Sequence, residues 1–453
     1  MLPLRRRVLV LKGKARSPAI ISAFSFKGGD VRLLLENGSD NAFSCFRRNS
    51  AERQEKQLCR PQNKSYLARK SADRFRFSGE SYRPYDVWKT VKISFILMNA
   101  PSVAIPILRQ FSHGLSDPSR LDAAQLVGHM GAVQAQDYRM ARWALGVRMG
   151  GEDSRAGVDE ALSQGRIVRM HILRPTWHFV RAEDVRWMLR LSGRRIASAV
   201  SSYGRPRGLS ESTFAEANRR FIRILSGGRQ LTREQLAREL SLQGWEVPLR
   251  ALANLTHRAE ADGVLCSGAD DPQGNPTHAL LEERIPSGDC PGEDEALARL
   301  AGMYFQSHAP ASVEDFMWWS GLSLTQVRRA VQAAGIRTSL GEFAGKWAPD
   351  SFGQGGLPSG TDAVRLLPSF DEYLIAYRDR SDVLDERYYP LAFNRYGTFR
   401  PVILQAGRVV GVWRDGGGKV DVSFFDERVS PDPSLLQAEI GRYRAFCRGR
   451  ASF

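Results

Sequence analysis

Residues 212–282 read STFAEANRRFIRILSGGRQLTREQLARELSLQGWEVPLRALANLTHRAEADGVLCSGADDPQGNPTHALLE, and this stretch decides the fold. Phe214, Ala217, Phe221, Ile222 and Leu225 recur at helical spacing and predict an amphipathic helix over 212–226. Thr232, Arg233, Glu234 and Gln235 spell a capping box that opens a second helix running to Leu242. A third helix is predicted over 248–262, stopped by Gly263. Two extended pieces follow, 264–266 and 277–282, joined by the turn-rich residues 268–276. Three helices and a β-hairpin wing make a winged helix.

The same order returns about 80 residues later. A helix is predicted over 293–307, Ser312-Val313-Glu314-Asp315 opens the next, and Ser323-Leu324-Thr325-Gln326 caps a third that ends at Gly335. A strand-and-turn piece at 336–349 takes the place of the wing. An earlier copy fits 121–180, with helices near 121–130, 137–149 and 154–165 and a wing over 167–180. Beyond Gly355 the pattern turns to short strands at 364–367, 402–405, 409–413 and 419–425, with Gly416-Gly417-Gly418 as a hairpin turn and a closing helix over 433–447. The expectation is an α+β chain of three tandem winged-helix units, 98–205, 206–288 and 289–357, followed by a small, mainly-β, barrel-like C-terminal domain over 358–453.

The first 97 residues differ from the rest. They hold 21 Lys and Arg against 8 Asp and Glu, so most of the formal charge of +16 sits there and the remainder is close to neutral. Runs such as Arg5-Arg6-Arg7 and 50–60 show no sustained helical or strand period. The segment reads as a basic disordered arm, as an extension upstream of a true start at Met98, or as an Arg-rich transit peptide over 1–17. The five cysteines are scattered, in no paired motif, which argues against a disulfide framework or a zinc site and for a reducing cytoplasm. No run approaches the roughly 20 apolar residues of a membrane helix.

Four strings then carry a family resemblance: Val133-Gln134-Ala135-Gln136-Asp137; Leu173-Arg174-Pro175-Thr176-Trp177-His178-Phe179-Val180; Glu314-Asp315-Phe316 leading to Trp318-Trp319-Ser320-Gly321; and 366–380, which begins Leu-Leu-Pro-Ser-Phe-Asp-Glu-Tyr. Together they resemble the tandem winged-helix DNA glycosylases of the AlkZ type. The resemblance spans roughly 104–450 and implies winged helices and a β-barrel around duplex DNA. It further implies hydrolysis of the bond between deoxyribose and an N7-alkylated purine, crosslinked purines included. The family's Gln-x-Gln motif falls on Gln134 and Gln136, where a sister group has Asp second.

Residues two apart share a face only in extended backbone, so Gln134 and Gln136 cooperate only outside a helix. Gly131 supplies the break, and Asp137 is placed to cap the helix that follows. An amide is no strong base, but its carbonyl orients water while its NH₂ holds an oxygen of the backbone. The other reading of the pair is two surface glutamines in a loop. His178 is either a water-orienting or charge-stabilising group or a hydrogen-bonded structural residue. Asp137 and Asp371 are the catalytic alternatives, Asp371 as an electrostatic stabiliser or as a loop pin. Arg174, Thr176, Arg328, Arg329 and Arg414 are candidate phosphate ligands, beside Arg250, His257 and Arg258 on another third helix, and each is equally a solvated face. Trp177 reads as a wedge or as core, and Trp318-Trp319 as core. The expected function is a monofunctional DNA glycosylase acting on double-stranded DNA as a monomer, without metal or organic cofactor and away from membranes, in the cytoplasm at the nucleoid. The rival is a non-catalytic winged-helix DNA-binding protein such as a transcriptional regulator.

Overall fold

The computed structural model describes strand segments between residues 6 and 82 and, from 101 onward, all residues except 119–120, 152–153, 286, 289, 338–342, 344, 350–361, 418, 427, 430 and 450–453. The chain divides at Leu97 and Met98 into two units. In the first, β1 (Arg6–Leu11), β2 (Ala19–Ser25), β3 (Val31–Glu36), β4 (Phe43–Arg48) and β5 (Gln54–Cys59) pair in chain order as an antiparallel meander. A small hairpin, β6 (Phe75–Phe77) with β7 (Glu80–Tyr82), follows. These strands are short, mostly rich in Val, Ile, Leu and Phe, and separated by Gly, Pro and Asn.

The second unit opens with helix α1 (Pro101–Ser112). Next come α2 (Ala123–Met130), the two-residue strand β8 (Val133–Gln134), α3 (Tyr138–Gly146), α4 (Ser154–Ser163), β9 (Ile167–His171) and β10 (Trp177–Arg181). A long helix, α5 (Ala182–Gly204), leads into α6 (Glu211–Leu225), β11 (Leu231–Thr232), α7 (Arg233–Leu242), α8 (Leu249–Ala261), β12 (Leu265–Ser267) and β13 (Thr277–Leu280). The two three-stranded sheets share one topology, β8-β10-β9 and β11-β13-β12: the short first strand pairs with the third. A third run has α9 (Glu293–His308), α10 (Val313–Ser320) and α11 (Leu324–Ala333). There the described residues hold one antiparallel bridge, Ala311 with Trp347, the latter inside the expected strand-and-turn piece at 336–349, of which 338–342 and 344 lie outside the described residues. The mixed helix-and-sheet class is as expected.

Local capping chemistry explains the repeat. Thr232 and Ser312 each accept from the N–H three residues on and receive that residue's side chain in return, and Asp137 caps α3 at the same place in the first copy. The helix α5 is absent from the sequence expectation. It starts directly from β10 with no Gly or Pro between, so nothing in the sequence marks the change of period. Its Val185, Trp187, Met188 and Leu191 belong to one buried core while Ile196 and Val200 belong to the next. The crossing requires a bare backbone at Gly193, where a Cβ would lie 2.6 Å from the carbonyl oxygen of Ala261.

The C-terminal strands β14 (Val364–Leu367), β15 (Val402–Gln405), β16 (Arg408–Asp415) and β17 (Val420–Phe424) form an antiparallel sheet in chain order, closed by helix α12 (Pro433–Arg448). This sheet shares a core with α3, through Met140, Trp143 and Val147. The Trp143 indole donates to the Leu366 carbonyl at 2.6 Å. Asp371, after β14, caps the short helix Glu372–Ile375 through the Tyr373 N–H and is gripped by both terminal nitrogens of Arg148, at 2.7 and 2.8 Å. Both partners are buried. Removing one partner of such a pair leaves a lone buried charge and costs about 3–5 kcal/mol. Arg148→Met should therefore lower stability in urea unfolding by that amount, and Asp371→Asn in the same chain should restore part of it; an unchanged midpoint for the single variant contradicts the assignment.

Candidate active site

Gly131, at φ +77°, turns the chain out of α2, and a Cβ there would lie 3.2 Å from the Trp319 ring. The backbone then extends through β8, where Gln134 faces His178 across the ladder. The glutamine motif is non-helical, as its spacing requires, but its two side chains have different environments. Gln134 is buried, whereas Gln136 and Asp137 stand exposed on the bend before α3. The Gln134 carbonyl oxygen accepts from Arg174 Nη2 at 3.1 Å and from Thr176 Oγ1 at 3.4 Å. Two phosphate-ligand candidates thus converge on the first glutamine. The bend itself is held from outside by Arg169, whose Nε donates to the Ala135 carbonyl at 2.9 Å while the guanidinium covers Trp177 at 4.1 Å. Trp177 is half-buried between that cation and the ring of His171, 4.4 Å away.

Beneath Gln134 lies a carboxylate that sequence reasoning passed over. Glu372 is buried, 1% exposed, and its Oε1 accepts the backbone N–H of Gln134 at 2.6 Å. Its Oε2 accepts the Trp319 indole N–H at 3.1 Å and lies 3.8 Å from His308 Nε2. Burial raises its pKa, but His308, His178 and Arg174 outweigh burial and hold the carboxyl below its usual value. The signal for Glu372 is its place in the Phe-Asp-Glu-Tyr string, directly beside the candidate Asp371. Asp371 is instead committed to Arg148. Asp137 caps α3 and accepts from Ser369 Oγ at 3.2 Å, which ties the bend to the same C-terminal segment.

His178 is fully buried. Its Nδ1–H donates to the Thr176 carbonyl at 2.9 Å, and its Nε2 has no hydrogen-bond partner among the described residues. Burial, then the charge of Arg174, pushes its pKa down to about 3, so the ring is neutral at pH 7 and Nε2 is an acceptor. Arg174 Nε is likewise unpartnered among the described residues. Such atoms in a buried setting are available to a ligand or to water. Two of the non-glycine residues at positive φ, Leu173 (60°) and Phe370 (59°), flank this cluster, one just before Arg174 and one just before Asp371. Backbone held in that region costs on the order of 1–3 kcal/mol and accumulates at working sites.

The remaining candidates lie elsewhere. Arg328 and Arg414 are exposed, and Arg329 is paired with Glu293 and Asp294. Arg258 is paired with Glu211 and Asp262, and His257 stacks on His171 with 3.4 Å between ring centroids, its pKa pushed down to about 3 by burial, so two of the three candidates on α8 are engaged within the chain. Trp319 is core as expected, but Trp318 is 45% exposed, a correction: neighbours on a helix point about 100° apart, so Trp319 meets Glu372 while Trp318 lies at the edge of the contact, its indole donating to the Ile375 carbonyl at 3.0 Å. Among the described residues no group of His, Cys, Asp and Glu is arranged to hold a metal, and no helix is long and apolar enough to cross a membrane.

A family profile for AlkZ-like DNA glycosylases matches residues 127–446, a span that begins just before the glutamine bend and ends in α12. The chain belongs to the AlkZ-like DNA glycosylase family. A curated relative from Streptomyces sahachiroi, named an interstrand DNA cross-link repair glycosylase, is 27% identical over 377 residues, covering 76% of this chain and 94% of its own. The solved structure of the Streptomyces sahachiroi DNA glycosylase AlkZ shares the fold, with a TM-score of 0.62, 21% identity, and coverage of 77% of this chain and 97% of that one. The chain is accordingly an enzyme of the DNA glycosylase class, and DNA is its substrate.

For an AlkZ-like glycosylase, Glu372 is a positioning residue: it sets the height of β8 and balances Arg174. Glu372→Gln keeps an acceptor for one N–H but removes the charge and turns an amide donor toward a second donor. Single-turnover base release at saturating DNA should fall at least tenfold, about 1.4 kcal/mol in the barrier, with little change in duplex affinity. Equal losses in binding and rate, or no loss, would show a purely structural role. A second expectation concerns pH. The unfolded chain protonates His178 near 6.5 and the folded chain only near 3, so this ring alone lowers stability by about 1.4 kcal/mol per unit below pH 6.5 until its folded pKa is reached, and His113, His257 and His278, also lowered by burial, add to the slope. Urea unfolding between pH 7 and 5 should therefore lose stability faster than one histidine accounts for, and His178→Gln should reduce the slope by about 1.4 kcal/mol per unit.

Proposed function

We propose that this chain hydrolyses the N-glycosidic bond of N7-alkylated purines in duplex DNA, crosslinked purines included, as a monofunctional glycosylase. The observation that carries the reading is the family match, which takes in a motif whose first glutamine is locked by Glu372, Arg174 and Thr176 while its second is exposed to solvent. We read the recurring helix–strand–helix–helix–strand–strand order as tandem winged-helix units, 98–205, 206–288 and 289–357, with 358–453 as a β-rich closing domain. Arg174, Thr176, Arg328 and Arg414 are the proposed phosphate contacts. Arg329 joins them by exchanging its exposed ion pairs for phosphate, which costs little because such pairs are weak. Trp177 lies behind them, against Arg169.

An N7-alkylguanine carries a positive charge, so the base leaves with the C1′–N9 electron pair and becomes neutral without prior protonation. Water adds to C1′ and its surplus proton passes to solvent. Gln136, on the exposed bend, orients that water through its carbonyl, and Gln134 holds the adjoining backbone in register. Neutral His178 accepts a hydrogen bond and does not deprotonate water at pH 7. Glu372, one layer beneath, favours positive charge developing on the sugar. A crosslinked base is tethered to the opposite strand and cannot swing into a closed pocket. An exposed Gln136 suits a base that remains near the helix, and the crosslink activity in the Streptomyces relative's name accords with this. We place the protein in the cytoplasm, at the chromosome, acting as a monomer without metal or organic cofactor.

The deciding experiment incubates purified protein with duplex DNA carrying 7-methylguanine and measures released base. Gln136→Ala should slow single-turnover release by about 10²-fold, the scale of a lost positioning contact, with DNA affinity nearly unchanged. Gln134→Ala should slow release and weaken binding; Gln164→Ala, exposed in the turn just after α4, should be silent. Binding without any release by the wild-type protein would favour the transcriptional-regulator reading.

A further inference from the structure

Asp270 lies in the turn between β12 and β13, in the second helical run, yet its carboxylate meets the first turn of α3 in the first run. The Tyr138 hydroxyl donates to Asp270 Oδ1 at 2.7 Å, Arg142 Nη2 donates to that hydroxyl at 2.8 Å, and Arg142 also pairs directly with Asp270 Oδ2. Burial pushes the Tyr138 hydroxyl up to about 12, so at neutral pH it keeps the proton it donates. Tyr138 and Arg142 sit one helical turn apart, and the Arg142 guanidinium covers the Tyr138 ring at 4.3 Å. The side chains of Arg142 and Asp270 are 11% and 19% exposed, so the pair is largely out of water. The turn that presents Asp270 is ordered by its neighbour. Asp271 Oδ1 accepts the N–H groups of Gln273 at 3.0 Å and Asn275 at 2.8 Å, and Gly274, at φ +82°, closes the loop.

Tyr138 is the first residue of α3 and stands two positions after Gln136. Arg169 carries the contact on to the bend: it lies 5.0 Å from the Tyr138 ring, its Nε holds the Ala135 carbonyl, and its Nη2 reaches the Gln136 carbonyl at 3.5 Å. The exposed Gln136 side chain makes no hydrogen bond of its own among the described residues, so its backbone sets its aim. Glu372 fixes that backbone on the Gln134 side. On the other side the supports are the Asp137 cap, Arg169 and the Tyr138 contact. We propose that Asp270 is a positioning residue for base release: from the second helical run it clamps the first turn of α3 and so fixes where Gln136 points. This rests on the reading above, in which Gln136 orients the attacking water, and deepens it. The second run thus serves the chemistry as well as any contact it makes with DNA. A misplacement of about 1 Å can cost on the order of 10²-fold in rate, and losing one of three supports should cost less.

The test uses the full chain. Asp270→Ala should slow single-turnover release of 7-methylguanine at saturating duplex about tenfold. Affinity is read on a duplex carrying 7-methyl-2′-fluoro-deoxyguanosine, which keeps the cationic base and resists hydrolysis, and should change by less than about twofold. Tyr138→Phe should slow release by a similar factor, and the double variant should lose no more than Asp270→Ala alone, since both changes remove one contact. Asp270→Asn keeps an acceptor for the hydroxyl and should recover most of the rate. Hydrogen exchange reads the clamp without chemistry: amides of 136–142 should exchange about fivefold faster in Asp270→Ala, with those of α11 unchanged. Glu295→Ala, which breaks an exposed ion pair with Arg299 on α9, is the control and should alter none of these. A wild-type rate in Asp270→Ala, equal losses of rate and affinity, additive losses in the double variant, or unchanged exchange at 136–142 overturns the proposal and leaves the glycosylase reading standing. A wild-type protein that releases no base, with exchange at 136–142 still faster in Asp270→Ala, overturns that reading instead, and the clamp on the bend stands.

Discussion

One carboxylate decides how the second unit works. Taking Glu372 out of water costs several kcal/mol, and the fold recovers that cost only by giving both oxygens a donor: the Gln134 N–H on one side, the Trp319 indole on the other. The two donors come from the first and third helical runs, and the acceptor from the segment after β14. Satisfying one charge thus fixes three distant parts of the chain against each other to within hydrogen-bond tolerance. The glutamine bend inherits its position from that arrangement, and the close approach of Gly131 to Trp319 follows from it.

The polar interior around this anion is kept consistent by complementary charge states. Arg148 is matched to Asp371 and Arg109 to Asp382, and the Glu260 carboxylate lies 2.6 Å from His171 Nδ1. Burial holds two further histidines neutral: His113, which shares a hydrogen bond with the Tyr377 hydroxyl at 2.8 Å, lies well below its ordinary pKa, as does His178. Packing alone would not demand this bookkeeping. It is the consequence of building a site from residues on several elements and sealing its lower half from water.

What was legible in the sequence was local. Thr232, Ser312 and Ser323 announce helix starts because an N-cap is a property of four consecutive residues, and their capping boxes form as read. The break at Gly131 and the cap at Asp137 were equally plain, and with them the non-helical conformation of the glutamine pair. Pairings across hundreds of residues were not legible. Whether Asp371 or Glu372 faces Gln134 depends on a half-turn of backbone after Phe370, whose positive φ no propensity anticipates. The burial of His178 depends on which face of the β8-β10-β9 sheet meets the core, and the partial exposure of Trp318 on how α10 lies against the C-terminal segment, where its indole donates to the Ile375 carbonyl. The long helix α5 lacks a start signal because its first residue follows a strand without interruption.

The hydrogen bond from Gln134 to Glu372 joins residues 238 positions apart. On the ribosome, at roughly 5–20 residues per second, the bend emerges about 12–48 s before the carboxylate that seats it has been made. During that interval the N-terminal helical runs can fold and cover their own cores, yet β8 has no partner for its outer N–H. The surroundings of Gln134 are therefore finished last, after β14 docks on α3. A nascent or prematurely ended chain has the first helical runs but lacks the carboxylate that seats Gln134.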